Sequence, residues 1–346
     1  CIAAYPLDTN SNDLSGNYNG TDTSMTYSEG TSKNPSWVWI KARNASASNQ
    51  LFDSIRGASQ VLSSESTSSE SDLGSYGLTT FNSNGFSVSD ITSGGNGVNG
   101  ASGGTYSGTP PNYLAWNWGA STLPTANSEG TIPSLVSAND AAGFSIVRNS
   151  GTASYSDTIG TGLTQAPQLV IQKPIGSVVD WYVLYNISGT GAWDWGKLNA
   201  TDAFQVDNPQ RFAASATTIN NWGWNTYDMI NYCFTSISGY QKIGTYNGTG
   251  TTNSFTNFGF QPSWILIKRI NGSGGNWWIF DSSRGNNKGI RANLSSAEDT
   301  TDAGANTYRY LINFETDGFE YEIVGGTAAQ PDINASGGTY IYLAVK

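Results

Sequence analysis

The chain has 346 residues, with 16 Lys+Arg against 26 Asp+Glu for a formal charge of −10, and only 12% of its residues are charged, where globular domains usually carry about 25%. That acidity lacks the basic footprint a phosphate-tracking groove needs, so no nucleic-acid partner is expected, and the absence of His removes Ser-His-Asp, Cys-His and His-zinc chemistry together. With 12 Trp, 18 Tyr and 13 Phe the chain holds too much aromatic surface to stay unfolded, and its length fits roughly two or three domains.

In sequence order, Cys1 comes first. It lies too far from Cys233 in sequence for a CxxC redox or metal site. A first-residue Cys is also what a lipid-anchored bacterial protein shows after signal removal, a cropped numbering being the equal alternative. No apolar run approaches the roughly 18 residues that span a bilayer, so no membrane span is expected. Residues 1–15 read as the leading strand of a first sandwich. Within them Asp8-Thr9-Asn10-Ser11-Asn12-Asp13 alternates oxygen side chains as a calcium loop does. An EF-hand is excluded, because its sixth position is Asp13 instead of Gly and its twelfth is Asn19 instead of Glu. A looser, lectin-like calcium site at Asp8, Asn10, Asn12 and Asp13 competes with a plain Asx-rich turn. No other cofactor is expected.

From residue 16 onward one pattern recurs. Pro35-Ser36-Trp37-Val38-Trp39-Ile40-Lys41 returns as Pro262-Ser263-Trp264-Ile265-Leu266-Ile267-Lys268, and more faintly as Pro167-Gln168-Leu169-Val170-Ile171-Gln172-Lys173. Phe52-Asp53-Ser54-Ile55-Arg56-Gly57 returns as Phe280-Asp281-Ser282-Ser283-Arg284-Gly285, and Asn99-Gly100-Ala101-Ser102-Gly103-Gly104-Thr105-Tyr106 as Asn334-Ala335-Ser336-Gly337-Gly338-Thr339-Tyr340. Three units follow, at 16–120, 143–239 and 240–346. Residues 121–142, rich in Pro, Ser, Ala and Asn, form a connecting segment with room for a short strand, while units two and three abut rigidly. Short runs of Val, Ile, Tyr and Trp bounded by Gly, Asn or Asp, with almost no helical period, predict an all-β fold of tandem antiparallel β-sandwich units. Asn84-Gly85 and Asp317-Gly318 read as hairpin turns requiring positive φ.

Four groups are candidate sites. Asp53 with Arg56, and Asp281 with Arg284, occupy the same Phe-Asp-Ser-x-Arg-Gly frame, and their duplication argues for a charge-assisted structural turn over ligand binding. Trp193 and Trp195, then Trp222 and Trp224, are paired at i and i+2, so each couple faces one side of an extended strand. They are the candidate sugar-stacking platform, with core burial as the competing reading. Glu315-Thr316-Asp317-Gly318-Phe319-Glu320 has the ExDxxE spacing of laminarinase-like retaining glycosidases. Its repeat partner carries Asn82, Asn84 and Ser87 instead, which favours a solvated hairpin, so no catalytic residue is assigned. In Tyr232-Cys233-Phe234 the two aromatics share a face by the two-residue period, matching Trp116 and Trp118 in the first unit. Cys233 therefore points the other way and reads as passive.

The frame Pro-Ser-Trp-x-x-Ile-Lys, Phe-Asp-Ser-x-Arg-Gly, Asp/Asn-Gly-Phe and Ala-Ser-Gly-Gly-Thr-Tyr resembles the repeated β domain of tailed-phage structural proteins, the tail-fibre-like or head-decorating proteins of marine phages. The opening Ala3-Ala4-Tyr5-Pro6-Leu7-Asp8 resembles the first strands of concanavalin A-like, laminin-G-type jelly rolls. The second unit departs from the pattern by lacking Phe-Asp-Ser-x-Arg-Gly. The resemblance implies a non-enzymatic virion protein, a string of sandwiches partnered by itself, by other virion proteins and by a host-surface glycan. The alternatives are a secreted or lipid-anchored carbohydrate-binding adhesin, and a laminarinase-like glycoside hydrolase acting through Glu315 and Glu320.

Overall fold

The computed structural model describes residues 4–7, as backbone, together with 35–89, 98, 111–121, 123–152, 154–186, 193–208, 211–221, 226–300, 310–325 and 329–346. The first unit comprises β1 (Ala4–Leu7), β2 (Trp37–Ala42), β3 (Gln50–Asp53), β4 (Gly57–Ser63), β5 (Ser71–Asp72), β6 (Gly77–Asn82), β7 (Gly85–Ser89) and β8 (Tyr113–Trp118). The connecting segment holds β9 (Thr125–Asn127) and β10 (Ser134–Asn139). The second unit comprises β11 (Phe144–Asn149), β12 (Thr158–Gly160), β13 (Leu169–Pro174), β14 (Tyr182–Tyr185), β15 (Asp194–Lys197), β16 (Gln205–Val206), β17 (Thr218–Asn220) and β18 (Met229–Phe234). The third comprises β19 (Gln241–Asn247), β20 (Asn253–Phe255), β21 (Trp264–Arg269), β22 (Trp277–Asp281), β23 (Lys288–Arg291), β24 (Asp299–Thr300), β25 (Tyr310–Glu315), β26 (Gly318–Ile323) and β27 (Thr339–Val345). Helix among the described residues is confined to α1 (Pro331–Asn334) and a 3-10 turn at Asp140–Ala142, and none is long and apolar enough to cross a membrane.

Each unit has the same principal antiparallel sheet. Its strand order is β1-β8-β2-β3-β4-β5 in the first and β19-β27-β21-β22-β23-β24 in the third. The second runs β11-β18-β13-β14-β15-β16 and is extended beyond β11 by β10 and β9. The connecting segment therefore belongs to the second unit's sheet. The registers superpose as well: Trp37 faces Trp118, Leu169 faces Phe234 and Trp264 faces Val345. A smaller layer covers one face of each principal sheet, β6-β7, β12-β17 or β20-β26-β25, so each unit is a sandwich with its own interior.

The other face is buried too. Trp37, Trp39, Trp116 and Trp118 of the first unit, Phe144, Trp181, Tyr232 and Phe234 of the second, and Trp264, Leu266, Trp277 and Leu343 of the third form one continuous core. Rings meet across unit boundaries: Trp37 stacks on Tyr232 with centroids 4.4 Å apart, and Trp118 meets Trp264 edge to face at 5.2 Å. The units are thus not a string. Three sandwiches turn the outer faces of their main sheets inward onto a shared aromatic core. Two-sided burial also explains why strands such as Trp37–Ala42 and Tyr113–Trp118 are buried at every position and, Lys41 and Asn117 aside, apolar, without the in-out alternation of a half-exposed sheet.

The hairpin turns lie one residue earlier than the Asn-Gly and Asp-Gly dipeptides predict. Asn82 pairs with Gly85 and Glu315 with Gly318, so Ser83–Asn84 and Thr316–Asp317 are the loop residues. The positive φ falls on glycine, 156° at Gly85 and 143° at Gly318, each opening its returning strand.

Candidate functional site

The repeated Phe-Asp-Ser-x-Arg-Gly frame folds into a buried ionic turn at the end of β3 and of β22. Asp53 Oδ1 accepts the Ile55 and Arg56 amides at 3.0 and 2.9 Å, and its Oδ2 accepts Arg56 Nε. Arg56 then donates to Leu51 O at 2.9 Å, Gln60 O at 3.2 Å and Glu70 Oε2 at 3.1 Å. Asp281 and Arg284 repeat the arrangement, with Ser283 Oγ added at 2.6 Å and Glu298 in the place of Glu70. Gly57 and Gly285, at φ 111° and 97°, carry the chain out of the turn. Burial alone would raise the Asp281 carboxyl, but Arg284, Ser283 and the Trp116 indole outweigh it and hold the group below the ordinary aspartate range. Burial likewise works against the Arg56 charge, and Asp53, Tyr232 and Glu70 hold it protonated.

Each ionic turn is completed by a neighbouring unit. Tyr232 of the second unit donates its hydroxyl to Asp53 Oδ2 at 2.8 Å, and Trp116 of the first donates its indole N–H to Asp281 Oδ2 at 3.0 Å. Tyr232 and Trp116 occupy one register position, two residues before Phe234 and Trp118. The second unit breaks the set in three places at once. Tyr185 takes the aspartate position opposite Leu169, Phe204 takes the glutamate position, and Leu343 takes the donor position on the third unit. An ionic turn without a donor, or a donor without a carboxylate, would leave a buried polar group unmatched, so the three change together.

The lysine ending each repeat forms a second threefold set, which sequence reasoning passed over. Lys41, Lys173 and Lys268 are fully buried. Lys41 Nζ donates to Ala42 O, Ala47 O and, across the boundary, Ser295 O at 3.0, 2.8 and 3.2 Å. Lys173 Nζ donates to Ser177 O, Val179 O and Thr67 O of the first unit at 3.3, 2.6 and 3.0 Å. Lys268 Nζ donates to Gly275 O and, at 3.4 Å, to Ala200 O of the second. Burial lowers each from 10.5 to about 8, against the pull of Glu65, of Asp180, and of Asp332 with Asp202 respectively. Beside them run three further links in the same rotation: Trp181 Nε1 to Ser63 O at 2.8 Å, Trp277 Nε1 to Lys197 O at 2.8 Å, and Asn49 Nδ2 to Leu294 O at 2.9 Å. The signal was visible, since lysine alone among charged residues persists in all three copies, the faint one included.

The remaining predicted sites separate. Trp193 is a correction: it is 4% exposed in the second unit's interior, edge-on to Phe212 at 4.6 Å, and leaves no face for a sugar. Trp195 is half-buried against Tyr182. Trp222, Trp224, Cys1 and the calcium candidates Asp8, Asn10, Asn12 and Asp13 lie outside the described residues. Among the described residues no group of three or more His, Cys, Asp or Glu could hold a metal. Glu315 is exposed at the hairpin end, Glu320 accepts Asn313 Nδ2 at 3.0 Å, and Asp317 accepts the Asn257 and Gly259 amides at 3.1 and 2.6 Å. Cys233 lies in the second unit's interior, its thiol pushed up to about 12 by burial; a thiol there is neither reachable nor ionised.

A family model described as a domain of unknown function (DUF7483) matches residues 13–346. No curated protein and no solved structure matches the chain.

Proposed function

We propose that the chain, which belongs to the DUF7483 family, is a non-enzymatic structural protein of a tailed-phage particle, a rigid three-sandwich block that presents its outer loops to the host surface or to neighbouring capsomers. The observation that carries this reading is where the charge goes. Asp53, Arg56, Asp281, Arg284 and the three lysines are all buried, and all sit in sets that cross or are completed across a boundary between units. Such placement serves rigidity, and the shared aromatic core serves it again. The virion context rests on the repeated motifs and their likeness to phage structural domains. Weak loop contacts of one copy would be multiplied by the number of copies on the particle.

The test is to label this protein in material from the producing culture and image purified particles. Density on a head or tail supports the reading, and its position separates decoration from host attachment. A protein found free or on cells and absent from every particle overturns it.

A further inference from the structure

Asn-Gly pairs are chemically unstable wherever the glycine nitrogen can reach the asparagine side chain, and three of them fall among the described residues: Asn84-Gly85, Asn247-Gly248 and Asn271-Gly272. Two are locked. The Gly248 N–H is committed to Gly338 O at 2.8 Å, and a β-carbon on Gly248 would lie 2.2 Å from Ala335 O, so that nitrogen has no room to swing. Asn271 is held by its side chain, which donates to Gly337 O at 3.1 Å and accepts the Thr339 amide at 2.9 Å.

Asn84 differs in its exposure and in the room beside its glycine. It is exposed in a two-residue loop, and a β-carbon on Gly85 would meet nothing within 4 Å. Its counterpart Gly318 is hemmed in, with the same atom 1.9 Å from Phe255 O. We propose that Asn84 is a spontaneous modification site of this protein, deamidating faster than either locked pair. The Gly85 nitrogen attacks Asn84 Cγ and forms a new bond to it, the bond from Cγ to the amide Nδ2 breaks, and the Gly85 proton leaves with Nδ2 as ammonia. Water then opens the cyclic imide at either carbonyl, giving aspartate or isoaspartate. Aspartate gives the first unit the residue that the third already has as Asp317. Isoaspartate adds one atom to the backbone beside the Phe81–Phe86 pair and shifts the β6–β7 register.

The full-length protein is incubated in mildly alkaline buffer, then digested and mapped by mass spectrometry, with isoaspartate counted by enzymatic methylation. Asn84 should convert at least about tenfold faster than Asn247 or Asn271, a barrier difference of about 1.4 kcal/mol. Asn84→Gln should abolish that fast phase and leave the other two sites unchanged. Conversion at Asn84 no faster than at Asn247 or Asn271, or a fast phase at residue 84 that persists in Asn84→Gln, overturns the assignment.

Discussion

Tyr232→Phe isolates the bond between the second unit and the ionic turn of the first. The ring is kept, and with it the 4.4 Å stack on Trp37; only the hydroxyl that donates to Asp53 Oδ2 at 2.8 Å is lost. Hydrogen bonds to charged groups contribute about 1.5–3 kcal/mol, and because Asp53 keeps three other donors the loss should fall near 2 kcal/mol. Tyr185→Phe is the matched control, since it removes a hydroxyl hydrogen-bonded to Thr245 at the boundary where no aspartate holds the ionic-turn position, and about 1 kcal/mol or less is expected there. Urea unfolding followed by tryptophan fluorescence reads both. Equal costs, or a Tyr232→Phe cost below about 0.5 kcal/mol, would refute the claim that boundary hydroxyls serve the buried aspartate.

Because one aromatic core serves all three units, calorimetry should show a single unfolding transition, whereas three separated transitions would contradict the shared core. Lys41, Lys173 and Lys268 fall to about 8 in the fold against 10.5 for the free group, so between those values the unfolded chain binds more protons and stability should rise with pH. The Cys233 thiol, moved from 9.0 to about 12, opposes this above about 9; urea midpoints that fall from about pH 7.5 to about 9 would contradict the lysine placement. In acid the slope has the same sign. Asp281 and Glu298 lie below their ordinary ranges, so the stability they supply is present above the unfolded values and lost as pH falls through the folded ones, and Asp281→Asn should flatten that acid slope.

The ionic turns were legible because Asp and Arg recur three residues apart in one frame, and a duplicated charge pair in a chain only 12% charged has few other uses. The partners of those turns were not. Trp116 and Tyr232 look like any core aromatic in the sequence, and their donor role follows only from which face turns toward the neighbouring unit. The arrangement of units was hidden for a related reason: a strand buried on both faces loses the period-two signal that would show an outer side. Trp193 and Trp195 satisfied the spacing for a sugar platform, yet i and i+2 spacing fixes only a shared side, and that side is the sandwich interior. The hairpins were placed correctly and their turns shifted by one residue, because the glycine after Asn84 or Asp317 begins a strand.

The rotation of contacts, second unit to first, first to third and third to second, returns to its start within one polypeptide. Three separate subunits joined this way would come apart on dilution, each boundary answering to the concentration of its partners. Here every boundary is intramolecular, and its effective concentration is set by the covalent tether and does not change with the amount of protein. A single gene product thus has no partial assemblies to populate, and one third of it cannot be exchanged or lost without cutting the backbone.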